Sequence, residues 1–160
     1  MIVSFFESIK YTGHLLPVSF LRIFLGYYYL GMALEKFKGD FLSKPVFAAE
    51  IAEKVPSLVL PSWYKGFLET LVIPYWQTSA FIIVGLEFAI AFSYLLGYVT
   101  RPLAIIAALM SLNFLMLSSP IQDDFFRTLI AVHLVLAWIG AGRCLGLDYY
   151  FFKRQRGVWW

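Results

Sequence analysis

Residues 78–97 read TSAFIIVGLEFAIAFSYLLG, an apolar run with a single charged side chain, Glu87, near its middle. As a helix rising 1.5 Å per residue, a segment of this length covers the ~30 Å of bilayer hydrocarbon. A helix apolar all round is either deeply buried or lipid-embedded. Three more runs of similar character follow from the same reading, at about 16–37, 102–119 and 124–141. They carry Arg22, Asn113 and His133 respectively. The composition agrees: 61% of residues are hydrophobic, against about 45–50% in soluble domains. The mean hydropathy is +0.74 and charged residues make up 14%. The expected fold is all-α: a single integral-membrane four-helix bundle with a long first loop.

The connections support that order. Residues 98–101 and 120–123 are tight turns, so the last three spans are expected as antiparallel neighbours. Residues 38–77 are long and partly structured. Ser43 and Pro45 resemble an N-cap and a first turn. Phe47, Ile51 and Val55 then recur every four residues before Pro56, which predicts a short amphipathic helix. A second is predicted from Ser62, burying Trp63, Phe67, Leu68 and Leu71 on the membrane surface or over the bundle. Residues 1–15 are amphipathic. Arg22 within the first run argues for a retained helix over a cleaved signal.

Charge placement predicts orientation. Lys10, Arg101, Arg143, Lys153, Arg154 and Arg156 fall on one side of a four-span arrangement. The positive-inside rule then puts both termini in the cytoplasm. The net charge of +3 gives no indication of nucleic acid. The expected partners are a lipid bilayer and either a protein partner or further copies of the chain. A single cysteine, Cys144, excludes an internal disulfide or CxxC pair. His14 and Cys144 lack metal-ligand spacing, and no haem, flavin or phosphate-loop motif is present. The terminal Lys153, Arg154, Arg156, Trp159 and Trp160 read as a surface anchor.

Charges inside a bilayer are costly and usually mark a function. Counting residues places Arg22 roughly 9 Å, Glu87 about 15 Å, His133 about 13 Å and Asn113 about 17 Å above one end of their helices. The expectation is one polar slab in which Arg22 pairs with Glu87 and His133 and Asn113 complete a network or bind a ligand. The alternative is an ion pair that only fixes helix register. Glu35, Lys36, Asp123, Asp124 and Arg127 are expected at the opposite rim, Lys36 snorkelling to the headgroups. That rim is either solvated or a mouth for a polar headgroup or partner.

Several motifs occur in order. Leu21-Arg22, Leu25-Gly26, Leu30-Gly31 and Glu35-Lys36-Phe37 lie in the first span. Glu87, Leu95-Leu96-Gly97 and Thr100-Arg101-Pro102 follow, and the last span closes with Gly140-Ala141-Gly142-Arg143 and Leu147-Asp148. From Leu21 to Asp148 this resembles the DoxX/DoxD family of small inner-membrane proteins. The chain departs from it in the long first loop and the Trp-rich end. The resemblance carries over to Arg22, Gly26, Lys36, Glu87, Thr100, Arg101, Arg143 and Asp148, and implies a redox context with quinone contact in the cytoplasmic membrane. On that reading Glu87 and His133 would relay protons as catalytic groups. Arg22, Asn113, Lys36 and Arg127 would bind ligand, and electrons would come from a partner. A non-catalytic scaffold subunit is the main alternative. A small transporter is a third, weakened by the absence of broken spans.

Overall fold

Pro17 lies in the first turn of α1, Leu16–Lys38, where its missing N–H costs no helix hydrogen bond. In the computed structural model, which describes residues 10–154, the chain is already helical at Lys10. The order continues with α2 Val46–Lys54, α3 Ser62–Phe67, α4 Trp76–Leu96, α5 Thr100–Leu117, α6 Asp123–Ile139 and α7 Asp148–Arg154. The chain is all-α, with seven α-helices and no strand among the described residues. Three helical stretches are long and apolar enough to cross a membrane: Lys10–Lys38, Trp76–Leu96 and Thr100–Leu117. α6 is shorter, at 17 residues, and starts with Asp123 and Asp124. Trp159, Trp160 and Arg156 of the expected anchor lie outside the described residues, as do residues 1–9.

α1 packs mainly on α4, and α5 on α6. One apolar cluster draws on all four, including Leu25, Ile90, Ala107, Leu129 and Leu136. Gly26 sets the α1–α4 approach. A Cβ there would lie 3.0 Å from the Leu95 backbone nitrogen and from Tyr94 Cβ. The outward faces are apolar too: Phe24, Tyr27, Phe81, Leu109 and Trp138 are all exposed. Exposed apolar surface on this scale belongs against lipid or a partner.

The long connection carries both expected short helices, with two differences. Ser43 does not cap α2; its hydroxyl bonds the Asp40 carbonyl, and Pro45 occupies the cap position. The buried face of the second helix is Tyr64, Leu68 and Val72. Trp63 is 70% exposed, and Phe67 and Leu71 are about half exposed. α3 runs directly into a π-helical turn, Leu68–Val72. Its wider winding keeps residues four apart in line on the face that meets Ile51 and Val55.

Candidate functional site

The buried polar residues form three layers, and this corrects the expected single slab. α1 supplies Arg22, Tyr29 and Lys36, seven residues apart and so about 10 Å apart in height. α4 supplies Glu87 and Tyr94 with the same spacing. Arg22 is level with Gly97, at the end of α4: a Cβ on Gly97 would overlap Arg22 Nη1. Glu87 lies ten residues back, about 15 Å away along the axis, so Arg22 and Glu87 do not pair. The expectation failed because the first helical stretch extends back to Lys10. This puts Arg22 deeper in its helix, and nearer the end of α4, than counting from Leu16 implies.

The layer at the Arg22 end ties the chain together. α4 ends in left-handed Gly97 (φ 63°) and α5 begins after left-handed Val99 (φ 53°). Asp148 accepts the Val99 N–H at 2.7 Å and the Thr100 N–H at 3.1 Å. It thus caps the start of α5, whose first N–H groups have no helical partner and favour a negative charge. The amides of Leu147 and Asp148 donate to the Leu96 and Gly97 carbonyls, satisfying the end of α4. Arg22 Nη2 donates to the Leu145 carbonyl at 2.8 Å, and Ser19 Oγ donates to Cys144 O at 2.9 Å. Burial pushes the Asp148 carboxyl above its ordinary range, against the Thr100 and Val99 amides and the nearby Arg22. Thr100, Arg143 and Asp148, read as family motif residues, meet at this clasp. Arg101 borders Gly140, and Arg143 stacks on Phe152 at 4.1 Å. Gly26 serves the α1–α4 contact instead.

The middle layer is His133, fully buried. Tyr29 Oη lies 2.9 Å from Nε2 and Tyr94 Oη 2.8 Å from Nδ1. A neutral imidazole has one N–H and one lone pair, so one tyrosine donates and the other accepts. Both ring nitrogens are therefore satisfied within the protein. Residue-by-residue reading missed both tyrosines. Their signal was the seven-residue spacing from Arg22 to Tyr29 to Lys36 and from Glu87 to Tyr94.

The third layer is the Lys36–Glu87 ion pair. Lys36 turns inward to the buried carboxylate, which corrects the expectation that it snorkels outward. Helical side chains lean toward the N-terminus, and here that brings the ammonium down to Glu87. The Phe41 and Phe114 rings flank it at 5.8 and 5.7 Å. Glu87 Oε1 takes the lysine, while Oε2 has no hydrogen-bond partner. Glu87 is fully buried, and the Lys36 side chain is 20% exposed.

Asn113 stands apart from this column. It accepts a hydrogen bond from Tyr64 Oη at 2.7 Å, linking α5 to α3. This pair lies at the wall of a cavity of about 430 Å³ between α4, α5 and the α2–α3 segment. The lining is otherwise mainly apolar, including Ile51, Leu68, Ile83 and Met110. A second cavity of about 190 Å³ holds Lys36, Glu50, Lys54 and Gln122. Phe47, Ile51, Ile83, Phe114 and Leu117 line both, so the two adjoin. Arg127 lies outside both cavities, exposed and facing Asp123 and Asp124 at 3.8 and 3.9 Å.

No protein-family model, curated protein or solved structure matches the chain.

Proposed function

We propose that the chain is a DoxX-like, four-span subunit of a redox system in the cytoplasmic membrane, with both termini in the cytoplasm. It holds a quinone-type amphiphile between α4, α5 and the α2–α3 segment. α6 is the fourth span: its 17 residues reach about 25 Å, and Asp123 and Asp124 stand in the headgroup region. The 430 Å³ cavity carries this reading. It has the size and apolar lining of a small-molecule site, with few polar groups to orient a head. Asn113 Oδ1 is already taken by Tyr64, and Nδ2 makes only a long 3.5 Å contact to Leu109 O. The amide therefore has a donor to offer, which suits a carbonyl. A quinone so placed would supply electron-carrying chemistry, with electrons arriving from a partner subunit.

This moves the ligand away from Arg22 and His133, whose polar neighbours are protein groups. The satisfied imidazole of His133 favours the second reading, a scaffold whose buried network only fixes the fold. Lipid extraction and mass spectrometry of protein purified in mild detergent separates the two. Quinone should accompany wild type in near-stoichiometric amount and be lost from Met110→Trp, which fills the cavity. A well-folded wild type free of quinone favours the scaffold.

A further inference from the structure

The smaller cavity is electrically balanced, and its balance is built in pairs. Lys36 is held by Glu87. Lys54, the other lysine on the wall, is held by Glu50 at 2.6 Å. Each cation facing the space already has its carboxylate. Yet Lys36 retains donor capacity: an ammonium has three N–H bonds, Glu87 Oε1 takes one, and part of the side chain faces the cavity. Such a site offers a strong donor without a net charge. It suits a neutral acceptor, a carbonyl oxygen, reached from the adjoining apolar space. An acidic headgroup would bring an uncompensated charge beside Glu87, whose Oε2 is already buried without a partner.

We infer that the Lys36–Glu87 pair sets ligand selectivity, admitting a neutral carbonyl head and rejecting an acidic head on a similar tail. This rests on the amphiphile-binding reading above. Glu87 is then a positioning residue that acts through Lys36, not a group that touches the ligand. Phe41 and Phe114 keep the ammonium in place by facing it with their rings.

The test is equilibrium binding of two probes, a decyl-substituted benzoquinone and dodecanoate, to the full chain in nanodiscs of neutral lipid. Wild type should bind the benzoquinone and discriminate against dodecanoate. Glu87→Gln keeps the side-chain shape and frees the lysine charge. It should shift the preference toward dodecanoate by at least about tenfold, equivalent to about 1.4 kcal/mol. Glu50→Gln frees exposed Lys54 without disturbing the buried pair. It should shift preference the same way by less, which keeps the test open if Glu87→Gln does not fold. Unchanged preference in both variants, with wild type still binding the benzoquinone, overturns the selectivity inference and leaves the quinone site standing. Wild type that binds neither probe overturns both.

Discussion

Gly97→Ala is expected to destabilise the protein by about 3–5 kcal/mol, the range for breaking a buried charged contact. Gly97 has φ 63°, where an L-residue costs about 1–2 kcal/mol. The larger part is steric. The new methyl would overlap Arg22 Nη1 and sit 2.6 Å from Gly146 Cα, which is backbone and cannot swing aside. Arg22 would be forced off the Leu145 carbonyl, and Asp148 would lose its neighbouring cation. Because the clasp joins α1, α4, α5 and the segment before α7, the loss would reach several helices. Unfolding followed by tryptophan fluorescence in mild detergent measures this. Gly31→Ala is the control. A Cβ at Gly31 meets nothing within 4 Å, and alanine is favoured over glycine inside a helix by about 0.5–1 kcal/mol. If Gly97→Ala behaves like the control, the clasp has been given too much weight.

His133→Leu should cost about 1–3 kcal/mol, chiefly by leaving the buried Tyr94 hydroxyl without a partner, since Tyr29 keeps a side-chain hydrogen bond with Ser111. Both Tyr29 and Tyr94 lose their imidazole contact at once. Adding Tyr29→Phe and Tyr94→Phe to His133→Leu should recover part of the loss, because replacing all members of a buried network costs less than orphaning some of them. On the proposed reading, a folded His133→Leu variant should also co-purify with quinone as wild type does. Loss of quinone from a folded variant would return His133 to the ligand site.

The apolar runs and their order were legible from sequence because a helix in hydrocarbon leaves a long, nearly charge-free signature. Glu87 was legible as a buried charge for the same reason. Its partner was not, because pairing depends on the relative heights of two helices, and those depend on where α1 begins. Asp148 was visible only as part of a motif. Its work, capping α5 from about fifty residues away, needs the fold-back of 145–148. The Tyr64–Asn113 bond was also out of reach, since it joins a loop helix to a span. Trp63, Phe67 and Leu71 recur every four residues just as Tyr64, Leu68 and Val72 do, so spacing alone could not choose the buried face, and of the expected set only Leu68 lies on it.

The most direct test of the ligand's place is photolabelling with an azido-benzoquinone on a short isoprenoid tail, followed by peptide mapping. The expected label falls on α5 around Phe114 and on α2 around Phe47 and Ile51, and is removed by excess unlabelled quinone. Competable label concentrated on α6 around His133, or on α1 around Arg22, would contradict the proposed site.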